Sequence, residues 1–581
     1  MTASLYNLAR NGDISWLSYY FAVFVASQDH SPVDELAGLS AALVSEANLS
    51  GNVCIELGHF SGKPLFRSAR LDDEEMPRGV DTTAWRERLD ASACVGAPQQ
   101  RAPLTLDGER LYLNRFWYYE DFVAAKIKSM LAGGKHGNPT SIQPLVDALF
   151  SDTAQVDPDQ KNAVLTAAIH PFSIISGGPG SGKTSTVVRI LALLLTLDRG
   201  CRIALAAPTG KAAARMIDSI YGRIDQLDVD NAIKQAIPGE ARTIHRLLRY
   251  RHHSFDYNEQ NPLPIDCVVI DEASMIDLKL MYHLLAALPS EARLILLGDR
   301  DQLASVAAGN VLGDITGHGL DSGGALVTDS IALLGSNYRF DRGSAIGQLA
   351  KLVNRGKNGP ALDLLRQNDH GLTWYESNHE KLDAAALDWL GDAFQPVFDS
   401  NSPSAALAVF ESVRILACTN LGPLGAESMN RLISSEMLAR NNLPSTETFS
   451  GLPIMITRNR HELGLFNGDI GILWQFETGL RACFRDSDGG IRELSLYRLP
   501  DFTPAWASTV HKSQGSEFDS VLLVMPADPD SETLSRELLY TAITRSRLQF
   551  SLHGSAAAAD AAIKRITRRH SGLAQKLGWG E

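Results

Sequence analysis

At 581 residues the chain exceeds what one hydrophobic core can support, so roughly two to four domains are expected. Its 44% hydrophobic and 21% charged residues are ordinary for a globular protein and exclude a low-complexity chain. A formal net charge of −13 excludes a surface that is basic throughout, so any nucleic-acid contact must be a local groove.

The first 115 residues show helical periodicity without catalytic punctuation and predict a mostly helical N-terminal domain over 1–115. Within it, Trp16 to Ala26 (WLSYYFAVFVA) imitates a signal-peptide core. Asp13 and a single preceding cation, Arg10, argue against an export signal, and no run is long enough to span a bilayer. The segment reads as a buried helix. The aromatic stretch Leu111 to Glu120 (LYLNRFWYYE) reads as a core helix. Gly133 to Pro139 (GGKHGNP) marks a boundary, with a linker expected over 116–150.

From Asp157 to Leu334 short β-branched runs alternate with helical segments: Ile174-Ile175, RIALAA from Arg202, CVVI from Cys267 and RLILL from Arg293. That alternation is the pattern of a parallel sheet wrapped by helices, here over 151–335. After the first run, Gly177 to Thr184 reads GGPGSGKT, followed by a helix-like stretch from Ser185 to Leu197. Strand, glycine loop and helix in that order form a P-loop. The loop of Gly177, Gly178, Pro179, Gly180, Ser181 and Gly182 would wrap the backbone N–H groups of its non-proline residues around the phosphates of ATP, aided by the helix N-terminus and by Ser185. Lys183 supplies a full positive charge and Thr184 a hydroxyl ligand for Mg²⁺.

Upstream, Gln160 follows an Asp157 cap and Pro158, and two readings stay open: a capping box, or an amide that reads adenine. Downstream, Asp271 and Glu272 follow the CVVI strand. The aspartate is placed to hold Mg²⁺ and the glutamate to orient the attacking water. After the next strand, Gln302 in LGDRDQL is placed to sense the γ-phosphate.

A second α/β series, with Val413 to Leu416, Val521 to Met525 and Leu548 to Leu552 as strands, predicts a second domain over 336–445 and 500–575. It is interrupted over 446–499 by short strands with turns at Asn467-Gly468 and Asp488-Gly489-Gly490, read as an SH3-like β insertion. The six cysteines are scattered without a C-x-x-C pair, which argues against a zinc ribbon or iron–sulfur motif and suits buried thiols in a reducing cytoplasm. The fold class is therefore α/β, with two parallel-sheet units, the β insertion and the helical N-terminal domain.

GSNYRF from Gly335, STVHKSQGSEF from Ser508, LLYTAITRSR from Leu538, APTGKAAARM from Ala207 and TIHRLL from Thr243 complete an ordered motif set. Over roughly 157 to 570 the chain resembles superfamily 1 DNA helicases, and more narrowly the RecD subunits of RecBCD enzymes. The resemblance implies that both α/β units are RecA-like P-loop domains, and implies 5′ to 3′ ATP-dependent travel on single-stranded DNA, with RecB-like and RecC-like partner subunits. It makes Arg339 and Arg545 arginine fingers reaching the γ-phosphate from the second unit, and places Gly515 and Glu517 beside the nucleotide. It assigns strand contacts to Pro208, Thr209, Lys211, Thr243, His245, Thr509, His511 and Lys512, whose hydroxyls, N–H groups and cations suit phosphate gripping. His245 and His511 as satisfied core histidines, Glu517 as a surface acid and Asn467 as a turn residue rather than a DNA contact remain alternatives. The stretch 251–264 is a candidate hairpin at the strand junction. Two departures stand out: Asn337 replaces the family's usual serine before Tyr-Arg-Phe, and no helix-hairpin-helix repeat precedes Asp157. The second favours a subunit over a stand-alone helicase.

Overall fold

The computed structural model describes residues 2–28, 35–67, 76–134, 137–151, 156–317, 327–335, 344–458, 460–486, 489–499 and 501–579. They fall into two compact units, Met1–Asn337 with Arg568–Glu581, and Tyr338–Thr567.

The first unit opens with helices Thr2–Asn11, Trp16–Gln28 and Glu35–Leu49, followed by a four-stranded sheet. The sheet order is Cys54–Glu56, Arg110–Leu113, Leu104–Asp107, Val95–Gly96. The N-terminal region is thus helical with a small sheet in addition. Trp85, fully buried, donates its indole N–H to Ser40 Oγ at 2.8 Å and ties the helix Thr82–Asp90 to Glu35–Leu49.

The Trp16 segment is a helix, as expected, but not a buried one. It buries only Ser18, Ala22 and Val25, a narrow stripe at helical spacing. Small residues there let the helix approach its neighbour closely, with Ser18 Oγ bonded to Ser45 Oγ at 2.8 Å. The large residues Trp16, Leu17, Tyr20 and Phe24 are left exposed.

The aromatic stretch Leu111 to Glu120 divides between the strand Arg110–Leu113 and the helix Asn114–Ala132. The linker expected over 116–150 is corrected by the structure: it carries most of that helix and a second one, Pro139–Ala148, capped by Asn138. Buried Phe116, Val123, Ile127 and Met130 anchor the first helix in the core. The glycine–proline boundary is only the gap between the two helices.

The centre of the unit is a six-stranded sheet in the order Ile331–Leu334, Phe172–Gly177, Arg293–Gly298, Cys267–Ile270, Ile203–Ala207, Ala241–Thr243. Every neighbouring pair is parallel. Residues alternate between two cores: Phe172, Ile174, Val268, Leu294 and Leu296 face one, Ile175, Val269, Ile295 and Leu297 the other. Burial on both faces explains why these strands read as continuous apolar runs.

The second unit holds a five-stranded parallel sheet in the order Leu372–Glu376, Ser546–Gly554, Phe518–Val524, Val413–Ala417, Ala507–Thr509. A separate antiparallel sheet, in the order Ile491–Ser495, Gly479–Arg485, Ile470–Phe476, Pro453–Ile456, Phe502–Pro504, interrupts it. Its last strand runs past residue 499, the expected end of the insertion, because Phe502–Pro504 pairs back onto Pro453–Ile456. Arg414, unremarked in the sequence, is buried in this unit. Its guanidinium sits 4.2 Å from the Phe410 ring centroid and donates to Ala505 O at 2.7 Å.

Candidate nucleotide and strand-binding sites

In the first unit, the parallel strands deliver their following loops to one edge of the sheet, where ligands of such sheets bind. The strand Phe172–Gly177 ends in the glycine loop, and the helix Lys183–Leu197 starts directly after it. Gly180 and Gly182 have φ of 78° and 85°, a region where only glycine is unstrained. A Cβ on Gly177 would meet Ser181 Oγ at 2.5 Å and Leu334 Cβ at 2.8 Å; one on Gly182 would come 2.3 Å from Gln160 Nε2. A side chain at either position would therefore push the loop off its neighbours. Ser181 Oγ is buried with no hydrogen-bond partner among the described residues, an unpaired hydroxyl inside the loop. These features fit a nucleoside triphosphate. Lys183 Nζ donates to Gly177 O and, at 3.2 Å, to Gly178 O. Thr184 and Ser185 lie in the first turn of that helix.

Gln160 is buried, and its amide packs on Gly182. The cap of its helix is supplied by Asp157, whose carboxylate accepts from Asp159 N at 2.8 Å. Asp159 in turn accepts from Gly335 N at 3.0 Å, joining the helix to the end of the edge strand.

Asp271 follows the strand Cys267–Ile270 and accepts from Glu272 N at 2.8 Å. Burial, then the neighbouring Glu272, pushes the Asp271 carboxyl well above the usual carboxylate range, while Lys183 and, more weakly, Arg215 pull it down. Glu272 itself adopts φ 52°, ψ 41°, a left-handed conformation that costs a non-glycine residue about 1–3 kcal/mol. Backbone strain of this kind concentrates at functional positions. Ser274, two residues on, has a buried hydroxyl without a partner among the described residues.

Gln302 is buried and donates to Asp299 Oδ2 at 3.1 Å. Asp299 also accepts from Asp301 N at 3.0 Å, and Arg300 N donates to Ser176 Oγ at 3.2 Å, so this loop is fastened to the P-loop strand. Asp299 was not assigned a role from the sequence. Burial raises its pKa, and the charge of Lys183 opposes the rise here as it does at the partly buried Asp271. Its place directly after an apolar strand, as with Asp271, was the available signal. Among the described residues no cluster of three or more His, Cys, Asp or Glu forms a ready metal cage, so a cation here would rest on few protein ligands and on the phosphates.

The proposed strand contacts of this unit sit on the same sheet edge. Pro208, Thr209 and Lys211 follow the strand Ile203–Ala207, and Thr243 ends the strand Ala241–Thr243. Thr209 and Thr243 cap the next helices, accepting from Ala212 N and Arg246 N, each at 3.2 Å. A cap uses a hydroxyl lone pair and leaves the O–H to donate. His245 packs on Tyr250 and Phe255, with ring centroids 5.5 and 5.9 Å away, and desolvation by this packing lowers its pKa. Those rings belong to a hairpin shorter and earlier than 251–264: Tyr250 pairs with Phe255 and Arg251 with Ser254. His252 and His253, both at positive φ, form its turn.

In the second unit, Thr509 ends the strand Ala507–Thr509, and its hydroxyl accepts from Lys512 N at 3.4 Å. His511 and Lys512 lie in the short turn that follows. Gly515 takes φ 71°. Arg545 is almost wholly buried, donating from Nη1 to Ser516 O at 3.0 Å and from Nε to Thr541 O at 3.3 Å. It is thereby anchored beside the Gly515 segment. Glu517 Oε2 lies 3.5 Å from Arg547 Nε, a contact the sequence did not suggest. Asn467 is exposed in a turn closed by Asp469 N on Phe466 O at 3.0 Å, with Gly468 at φ 94°. Arg339 and Asn337 lie outside the described residues, as does Asp488 of the second predicted turn.

Three family models match the chain: the RecBCD enzyme subunit RecD N-terminal domain over residues 10–112, an AAA domain over 160–308, and a UvrD-like helicase C-terminal domain over 504–552. The RecBCD enzyme subunit RecD of Mycolicibacterium smegmatis is 35% identical over 94% of this chain and 94% of its own. That of Haemophilus influenzae is 33% identical over 99% of both. The ATP-dependent RecD2 DNA helicase of Deinococcus radiodurans is 28% identical over 94% of this chain and 69% of its own.

Proposed function

The chain belongs to the RecD family, and from that premise we propose that it is the ATP-dependent DNA helicase motor of a RecBCD-type helicase–nuclease complex acting in double-strand break repair and recombination. In this reading it moves 5′ to 3′ along single-stranded DNA, in the cytoplasm, with RecB-like and RecC-like partners. The observation that carries the enzymatic part is the convergence on one sheet edge of the glycine loop, Lys183, the partly buried Asp271 and the buried Asp299.

Lys183 would leave the Gly177 and Gly178 carbonyls for the β- and γ-phosphates, and the N–H groups from Gly180 to Ser185 would cradle them. Gln160, against Gly182, is placed for the base; Glu517 and Gly515 are assigned to the ribose side. Thr184 and Asp271 would hold Mg²⁺, which supplies charge neutralisation on the phosphates; the raised Asp271 carboxyl is suited to gaining a cation. Glu272 orients the attacking water and takes its proton, and Gln302, fixed by Asp299, reports the γ-phosphate. Arg339 and Arg545 are the proposed cations for the charge that develops during hydrolysis. Thr209, Thr243 and Thr509, with Pro208, Lys211, His245, His511, Lys512 and Asn467, are assigned to the DNA strand. The described residues offer no assigned nuclease centre, so cleavage is attributed to a partner.

The alternative, a stand-alone helicase, is less favoured because the match to the RecD N-terminal domain covers 10–112 while the longer RecD2 relative is only two-thirds covered. Unwinding of 5′-tailed and 3′-tailed duplexes, with and without the partner subunits, tests the proposal. Activity restricted to 3′ tails, or ATP hydrolysis indifferent to single-stranded DNA, overturns it. A fully active monomer that forms no complex on gel filtration supports the stand-alone reading.

A further inference from the structure

The loop that follows Gln302 is held from three directions. Leu278 N, at the start of the helix after Asp271 and Glu272, donates to Ala308 O at 3.1 Å. Gly309 N donates to Gly51 O at 2.9 Å, in the turn after the helix Glu35–Leu49 of the N-terminal region. From the C-terminal segment, Arg569 Nη1 donates to Ala307 O at 2.8 Å and to Gly309 O at 3.0 Å, and lies 3.5 Å from the buried Ser305 Oγ. The guanidinium rests on Gly51, where φ is +92° and a Cβ would stand 2.9 Å from Cζ.

The segment carrying Arg569 is itself fixed. His570 N donates to Asn52 Oδ1 at 2.9 Å, Val53 N donates to His570 O at 2.8 Å, and Ser571 Oγ and Gly572 N both donate to the fully buried Glu120 at 2.8 Å. Trp579, 6% exposed, donates its indole N–H to Ile315 O at 2.9 Å.

We propose that Arg569 is a positioning residue for ATP hydrolysis: by clamping the 305–309 loop between Gly51 and Leu278 it sets the placement of Gln302 and Asp299 on one side and of Asp271–Glu272 on the other. The proposal rests on the ATPase reading above and adds to it a mechanical link from the N-terminal region to the hydrolytic loops. A guanidinium suits this task because its planar group holds Nη1 in one fixed orientation among the three loop oxygens, whereas an ammonium on a flexible stem rotates freely. A displacement of about 1 Å in a group aligned with a reacting centre can lower a rate by up to about a hundredfold, so a small relaxation of the loop has a measurable effect.

The test is steady-state ATP hydrolysis by the full-length chain with saturating single-stranded DNA. Arg569→Ala is expected to lower kcat about tenfold while KM for ATP stays within about twofold, the signature of lost transition-state alignment rather than lost binding. Arg569→Lys recovers only part of the loss. Gly51→Ala, which leaves the arginine in the chain but displaces it, reproduces the kcat defect, and the double variant is no slower than the worse single one. Should Arg569→Ala fail to fold, Gly51→Ala carries the test alone. An unchanged kcat in folded Arg569→Ala, a rise confined to KM, or additive defects in the double variant overturn the proposal. A wild-type chain without hydrolysis would instead overturn the ATPase reading.

Discussion

Replacing Lys183 with alanine removes an ammonium whose charge acts on both Asp271 and Asp299. In the structure its Nζ is satisfied by the carbonyls of Gly177 and Gly178, at the end of a strand. The expected cost to folding is therefore about 1–2 kcal/mol: the loss of a charged hydrogen bond plus a cation beside two carboxylates. The cost to catalysis is larger. A unit charge about 4 Å from a phosphate oxygen, at an effective dielectric near 20, is worth about 4 kcal/mol, or about a thousandfold in rate. That agrees with the roughly 10²–10³ lost when one preorganised donor is taken from a site of developing charge. Phosphate release with saturating ATP and single-stranded DNA should fall by about that factor, while circular dichroism and the thermal midpoint report a folded protein. Turnover within about threefold of wild type would refute the assignment of Lys183 to the triphosphate.

Glu272→Gln keeps the side-chain shape but cannot take a proton. Turnover is expected to drop about 10²–10⁴-fold with ATP binding retained, and nucleotide binding lost in parallel with turnover would point to a structural role instead. Asp314 gives a pH test of the C-terminal docking site. Burial pushes its carboxyl up to about 7, with Glu120 adding to the rise and Ser571 and Arg569 opposing it. Because the folded pKa exceeds the unfolded one, the group's stabilising contribution is complete below about pH 4 and is lost as pH rises through about 7. Asp314→Asn should thus match wild type near pH 4 and exceed it at pH 8 by about 1–3 kcal/mol, read as a thermal midpoint. A difference that does not change with pH, or that changes sign, removes Asp314 as the titrating group.

What was legible in the sequence was whatever chemistry is local along the chain. Gly180, Gly182 and Lys183 fall within one turn of each other, and their strand and helix flank them directly, so the P-loop could be read without knowing its neighbours. Asp271 was found by the same logic, as a carboxylate at the end of an apolar strand. The left-handed backbone of Glu272 left no trace, since a glutamate announces no positive φ. The four-stranded N-terminal sheet was missed because strands as short as Val95–Gly96 show no alternation to detect. The Trp16 helix misled for another reason: its large residues suggested burial, while the packing was carried by Ser18, Ala22 and Val25. Arg569 was invisible because its partners lie far back in the chain, around Gly51 and Gly309, and only the folded chain brings them together.

The return of the C-terminal segment to the first unit also bears on how the polypeptide matures. Ser571 and Gly572, the partners of the Glu120 carboxylate, leave the ribosome only after the whole of the second unit has been made. At about 5–20 residues per second, the early half waits for tens of seconds with that carboxylate lacking its late partners and the niche for Trp579 unfilled. A product truncated before Arg569 would keep its glycine loop yet leave the Trp579 niche empty and the buried Glu120 short of two hydrogen bonds. The segment from Arg569 to Trp579 thus acts as a seal on the first unit that can be applied only after the second unit has been made.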